Sequence, residues 1–281
     1  MKSPFPTIKF FDGMSGYWVE IADARPTEEQ VNFVKEKISA GGLVLDLGCG
    51  NGRHAIPLSK AGYNLVGLDF SLHLLQAAKQ KAAESGTKVA FVRADMNYLP
   101  FRDRTFTAII SLDTSLGYFP QQNEAIQMFR EAARTLTRNC VLLLDVFNLE
   151  YMLQQYSKTC SANVKPLYFR LLTCFPFLAG LFKWREYRSF YLLQQRSVTE
   201  NGDKLVDTWV FRDKKTGKIT LAQHVVWLYS FSGLEALLRK VGFRMEESYG
   251  SYEGAAYESD SKRLIVVSRL ITKPTISLNN C

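Results

Sequence analysis

The residues best suited to chemistry are concentrated in one stretch, Leu43 to Ala55, which reads LVLDLGCGNGRHA. Three glycines stand at alternate positions, Gly48, Gly50 and Gly52, just after an acid, Asp46. Glycines at this spacing allow positive φ and let a ligand press against the main chain. The spacing is not the G-x-G-x-x-G of a dinucleotide fingerprint, because the third glycine comes one position early. A phosphate-cradling G-x-x-x-x-G-K-[ST] loop is absent. A carboxylate ahead of the first glycine repels a diphosphate but suits a ligand carrying an ammonium or sulfonium group. Two further acids, Asp69 and Asp95, end the next two apolar runs, and each would cost stability if buried and unpaired. Farther along, Asp113 is a candidate for positioning a substrate amine or hydroxyl, or equally for capping its loop, Tyr118 with Phe119 for lining the acceptor pocket, and His224 for taking a proton from the substrate.

Positioning these residues requires strands that end along one edge. Leu43 to Leu47 reads as a short buried strand, and Arg53 to Ala61 as the helix that follows the glycine turn. Asn64 to Leu68 is a second strand, and Ser71 caps a helix over Leu72 to Ser85 that Gly86 stops. Lys88 to Ala94 and Arg104 to Ser111 supply strands three and four. The small-residue loop SLDTSLGYF (Ser111 to Phe119) then faces substrate. A helix over Asn123 to Thr135 leads to a fifth strand, Cys140 to Phe147, with Asp145 and Asn148 at its end, expected within reach of the active site. Upstream, Thr27 to Ala40 is a capped helix with Val31, Val34 and Ile38 at helical spacing. Near the end, Ser230 to Val241 is a helix, Phe243 to Tyr249 and Arg263 to Leu270 are strands six and seven, and the loop between them is expected to approach the acceptor through Tyr252 or Tyr257.

The D-x-G-x-G-x-G arrangement resembles the first motif of class I S-adenosylmethionine-dependent methyltransferases of the small-molecule type. The resemblance covers about Leu43 to Asn148 plus the last two strands. It implies an α/β fold, a seven-stranded Rossmann-like sheet in the order 3-2-1-4-5-7-6 with the last strand antiparallel. It also implies S-adenosylmethionine as the methyl donor and S-adenosylhomocysteine as product. Asp46, Gly48, Cys49, Gly50, Gly52 and Arg53 would form the donor loop. Asp69 would accept both ribose hydroxyls beside Phe70 and Ser71. Asp95 would accept from the adenine amine while the Met96 N–H meets a ring nitrogen, and Leu112 completes the set. The family's N-terminal arm often folds over the donor, and Tyr17, then Trp18, would meet its carboxylate or sulfonium; the other reading is an aromatic pair capping the core. The turn Thr137-Arg138-Asn139 departs from the glycine-bearing turn usual in the family. The missing [DN]-P-P-[YF] loop argues against amino-methylation of nucleobases or glutamine, and the missing Pro-Cys against cytosine-C5 chemistry. The nearest likeness is to methyltransferases of small metabolites, including sugar-amine and glycine-type enzymes.

Composition narrows the rest. The chain has 281 residues, 47% hydrophobic and 22% charged, enough for a sizeable core. Its net charge of +8 invites a polyanion, yet no run of five like charges occurs, so a nucleic-acid partner is not expected. Five cysteines without a C-x-x-C pair indicate neither a disulfide framework nor a metal site, and fit a reducing cytoplasm. No apolar signal region opens the chain.

The domain reading is a donor-binding core at 1–148 and 230–281, with a lid and acceptor-binding insertion at 149–229. Within the insertion, Leu171 to Phe182 is an apolar run of twelve residues, too short for a bilayer. It reads as a buried helix, a lid, or a membrane contact. Three strand-like runs follow, Arg188 to Val198, Lys204 to Phe211 and Lys218 to Leu228, joined by turn-forming residues into a small antiparallel sheet. His224 on the third is either a proton acceptor for the substrate or an exposed strand histidine. The function expected is methyl transfer to an N, O or C nucleophile of a small molecule, by a monomer or homodimer. The alternatives are a peripheral membrane enzyme acting on a lipid or quinone, and an RNA or protein methyltransferase.

Overall fold

Val44, Leu45 and Leu47 are fully buried, so β1 (Leu43–Leu47) must lie in the middle of a sheet covered on both faces. The computed structural model describes residues 10–11, 13–119, 122–156, 158–159 and 183–271. The apolar run at 171–182 and the tail from 272 lie outside the described residues. β1 sits between β2 (Asn64–Asp69) and β4 (Phe106–Ser111), and all three run parallel. β3 (Val89–Arg93) pairs with β2, and β5 (Leu136–Phe147) with β4, again parallel. β12 (Arg263–Leu270) runs antiparallel to both β5 and β11 (Phe243–Tyr249). The resulting order, β11-β12-β5-β4-β1-β2-β3, is the seven-stranded α/β sheet anticipated above. Its strand order reverses between β1 and β4, which opens a crevice at their carboxyl ends.

Two apolar layers hold the sheet. Alternate residues Val44, Ala108, Ile110 and Leu143 pack one face against Val31, Phe33 and Val34 of the helix Glu28–Lys37. Leu45, Ile109, Leu142 and Leu144 pack the other against Met128, Phe129, Leu234 and Leu238 of the helices Gln122–Thr135 and Phe231–Lys240. Three local expectations are corrected. The helix after the glycine turn is only Ala55–Lys60, because residues 51–54 are used in the turn itself. Thr27 does not cap its helix; its hydroxyl accepts from Arg53 Nη1 at 3.0 Å and donates to the Arg25 carbonyl. β5 begins at Leu136, and the expected turn is a register shift within it, with Asn139 at φ +61° where a glycine would ordinarily stand.

Residues 183–227 build a second sheet. β8 (Phe190–Thr199), β9 (Lys204–Asp213) and β10 (Ile219–Trp227) are antiparallel neighbours. The short strands β7 (Lys183–Glu186) and β6 (Lys158–Thr159) border β8, the first antiparallel and the second parallel. This segment leaves and re-enters the first sheet at one point, where the Leu149 N–H donates to the Tyr229 carbonyl at 3.1 Å. The second sheet docks on the loop after β4. Trp227 Nε1 donates to the Phe119 carbonyl at 2.8 Å, and at Gly117 a Cβ would fall 2.2 Å from Val226, so only glycine allows this approach. The aromatic N-terminal arm is a helix, Ser15–Asp23, laid across the second sheet. Tyr17 stacks on Phe211 (4.6 Å) and Trp18 on Trp209 (5.4 Å). Among the described residues no helix is long and apolar enough to cross a membrane.

Candidate active site

The crevice at the ends of β1 and β4 is a cavity of about 1140 Å³, its open mouth included. Its floor is the glycine turn. The N–H groups of Gly48 and Cys49 both reach the Leu68 carbonyl, which ties the turn to the end of β2. Gly50 has φ +54° with open space where a Cβ would be, so the main chain itself forms the cavity surface. Its N–H donates to Asp69 Oδ2 at 2.8 Å, while Asp69 Oδ1 accepts from the Ser71 N–H at 2.9 Å. Asp69 therefore clips the turn to the next helix while lining the cavity beside Phe70 and Ser71. Ser71 is the N-cap of the helix Leu72–Glu84.

Asp46 stands behind this turn, 1% exposed, and its Oδ2 has no hydrogen-bond partner among the described residues. Burial pushes its carboxyl up to about 7, against the pull of Arg53 and with the help of Asp69. An acid held in this state lacks a cation or donor. Gly52 packs against Ile56 and Ala78 and, like Asp46, does not line the cavity. Cys49, Arg53 and Leu112 do line it. At the far wall Asp95 and Met96 line it too, with Asp95 Oδ1 taking the Asn97 N–H at 2.8 Å.

The mouth is built on strained backbone. Asp113 and Thr114 follow β4 with φ +58° and +70°, left-handed values at two consecutive non-glycine residues. Asp145, buried at the end of β5, holds them there. Its Oδ2 accepts from the Asp113 N–H (2.9 Å) and the Tyr252 hydroxyl (2.6 Å), and its Oδ1 from Arg263 Nε (2.6 Å). Arg263 Nη2 also donates to Thr114 Oγ1 at 2.7 Å. The Asp113 carboxylate, turned into the cavity, pairs with Arg25 and, at 3.4 Å, with Arg53. Desolvation, added to the Arg53 charge, pushes the Arg25 guanidinium down to about 10. Tyr118 lines the same cavity with its hydroxyl pushed up by burial, so it stays protonated at any working pH.

Several residues singled out in the sequence stand elsewhere. Tyr17 packs into the second sheet, and it is Trp18, one position on, that lines the cavity. His224 is neither exposed nor in the cavity: it is 6% exposed on β10, packed against Phe10, Tyr118 and Trp209. Asp145 and Asn148 are buried and engaged in holding loops, Asn148 by donating to the Ser259 and Ser261 carbonyls. Tyr252 and Tyr257 likewise bond to Asp145 and Asn148. Arg25 was not foreseen; the cation-bearing end of an aromatic helix gave no local signal for it. The thiols of Cys49 and Cys140 are free.

Comparison with known proteins agrees with this geometry. Residues 44–139 match the family described as "Methyltransferase domain". A putative methyltransferase of Bacillus subtilis is 29% identical over 136 residues, 48% of this chain and 55% of that protein. The 27-O-demethylrifamycin SV methyltransferase of Amycolatopsis mediterranei is 33% identical over 143 residues, 48% and 50% of the two chains. The chain spans about half the length of the curated relatives it matches. Among solved structures, the CcbJ methyltransferase of Streptomyces caelestis superposes with a TM-score of 0.76 at 18% identity, covering 96% of this chain and all of that one. An S-adenosylmethionine-bound amino pentose methyltransferase of Micromonospora echinaspora gives 0.62 at 15% identity, covering 91% and 96%. Residues 44–139, which carry the glycine turn and the three strand-end acids, thus match a methyltransferase domain, and the seven-stranded sheet shares its fold with solved methyltransferases.

Proposed function

We propose that this chain transfers a methyl group from S-adenosylmethionine to an N, O or C nucleophile of a small molecule. The observation that carries this reading is the buried, half-satisfied Asp46 carboxylate behind a glycine turn whose main chain is open to the cavity. Such a corner repels a diphosphate and completes its hydrogen bonding with a donor that carries an ammonium. Asp46 would attract that group from behind the turn, while Asp69 would hold the ribose hydroxyls and Asp95 with Met96 the adenine. Bound there, the donor would supply an activated sulfonium methyl to the acceptor's lone pair.

The chain's own work is positioning and exclusion of water, which can account for ~7–11 kcal/mol of such a barrier. Trp18, Tyr118 and Phe119 form the apolar wall opposite the turn. Tyr118 and Asp113, the latter paired with Arg25 and Arg53, are the polar side chains assigned here to the acceptor. An acceptor amine arriving neutral needs only a modest base, so a dedicated dyad is not required. The relatives' names, one a rifamycin-type and one a sugar-amine enzyme, support a small-molecule acceptor. Free thiols support a reducing compartment such as the cytoplasm.

Calorimetry with S-adenosylhomocysteine, followed by a labelled-methyl screen over amines, aromatic hydroxyls, hydroxy-acids and quinols, tests the reading. Gly50→Val should abolish donor binding while the chain still folds; a variant that binds normally would disprove the loop's assigned role.

A further inference from the structure

Buried polar atoms without partners are rare in folded proteins, and where they cluster they mark a place that a ligand completes. Among the described residues, two of the eight such atoms, on Arg53 and Asn97, belong to residues lining the donor cavity, and a third, on Asp46, stands behind its glycine turn. Three others lie together in the second sheet: Gln194 Oε1, Trp209 Nε1 and His224 Nδ1. Their residues share one face, because Gln194 pairs directly with Trp209 across β8 and β9, and Asp207 pairs with both Arg196 and His224. All three are at least nine-tenths buried.

The chemistry of this patch is specific. Gln194 Nε2 donates to both oxygens of Asp207, at 2.9 and 2.7 Å, which turns Oε1 away as a bare acceptor. Arg196 Nε donates to Asp207 Oδ2 at 2.9 Å, so the patch's acid and its arginine cancel. His224 Nε2 stands 3.9 Å from Asp207 Oδ2, and burial keeps the ring neutral, its pKa pushed down to about 4. What remains is an indole N–H that donates, an amide oxygen that accepts, and an imidazole nitrogen that does either according to its tautomer. A hydroxyl or neutral amine, which both donates and accepts, matches that set, whereas an anion would meet Asp207 with its arginine already engaged. The patch lies one ring beyond the donor cavity. Trp18 and Tyr118 line that cavity on one side and touch Trp209 and His224 on the other. Over the patch lies Phe10, its ring 4.4 Å from His224 and 5.8 Å from Trp209.

We propose that Gln194, Trp209 and His224 form the seat of the methyl acceptor, that the acceptor is an uncharged ring compound bearing hydroxyl or amino groups, and that it takes the place held here by Phe10. The proposal rests on the methyl-transfer reading above. The full chain is first titrated with S-adenosylhomocysteine. The loaded protein is then titrated at pH 8.5 with two matched pairs of probes, catechol against 3,4-dihydroxybenzoate and glucosamine against its 6-phosphate. At least one neutral probe should bind tenfold or more tightly than its anionic counterpart and be methylated from labelled donor. Trp209→Phe, which removes the indole N–H, and Gln194→Leu, which removes the amide oxygen together with the amide donor to Asp207, should each weaken that probe about tenfold and leave S-adenosylhomocysteine affinity unchanged. The seat is overturned if the loaded protein binds neither neutral probe, if the anionic partner binds as well, or if both variants bind like the parent chain. A chain that fails to bind S-adenosylhomocysteine at all would instead strike the methyl-transfer reading, and this seat with it.

Discussion

Asp46 and His224 are buried groups whose protonation opposes one another. Burial raises Asp46 to about 7, so the folded chain holds a proton there that the unfolded chain has released. Stability from this group is present below the unfolded value and is lost as pH rises through about 4 to 7. Burial lowers His224 to about 4 and His54 well below its ordinary range, so these must shed a proton on folding. Their penalty is greatest in acid and fades as pH rises through about 6.5. Asp46→Asn should therefore make stability climb more steeply with pH, by on the order of 1.4 kcal/mol per unit between about 4 and 7. Chemical denaturation at pH 4.5, 5.5 and 6.5 reads this directly; parallel profiles for the two chains would refute the burial argument. Asp69→Ala carries a double loss, since the same carboxylate clips Gly50 and would hold the ribose. We expect S-adenosylhomocysteine binding to weaken by ~1–3 kcal/mol in calorimetry. The acids were legible at this scale because each closes an apolar run. Arg25 and the Asp207 patch were not, since nothing adjacent to them in the chain marks what they meet.

At the level of the strand ends and loops, the Asp113–Thr114 pair is stable only because Asp145, Arg263 and Tyr252 over-determine it. Asp145→Ala leaves the Arg263 guanidinium facing a vacated, half-buried site and frees two left-handed residues. A loss of ~3–5 kcal/mol is expected from urea unfolding. A loss under about 1 kcal/mol would mean the strain is carried elsewhere. Asn139 is the milder case. Its φ of +61° within β5 is a conformation that asparagine tolerates and a β-branched residue does not. Asn139→Gly should be near neutral and Asn139→Val should cost ~1–2 kcal/mol in the same assay. The six-residue helix after the glycine turn follows the same logic, since the turn claims residues that periodicity assigned to the helix.

Over the whole molecule, the N-terminal helix is what joins the two sheets at the site. Trp18 stacks on Trp209, Glu20 accepts from the Ser189 N–H at 3.0 Å, and Asp23 accepts from Asn51 of the glycine turn at 2.9 Å. Trp18→Ala should loosen the arm and lower stability by ~1–3 kcal/mol. Faster limited proteolysis before residue 24 would accompany it, and an unchanged cleavage rate would show that the arm is held without this stack. The amino-acid sequence by itself determined the strands, the glycine turn and the acids beside it, because those depend on short-range periodicity and on residue types fixed to strand ends, whereas the strand order was implied by the resemblance to the methyltransferase family. Only the tertiary structure decided that Trp18 rather than Tyr17 meets the cavity, that His224 is buried beyond it, and that Asp145 supports the loop instead of the ligand. Those outcomes depend on which faces of distant elements meet across two sheets, and residues far apart in the chain carry no local trace of that encounter.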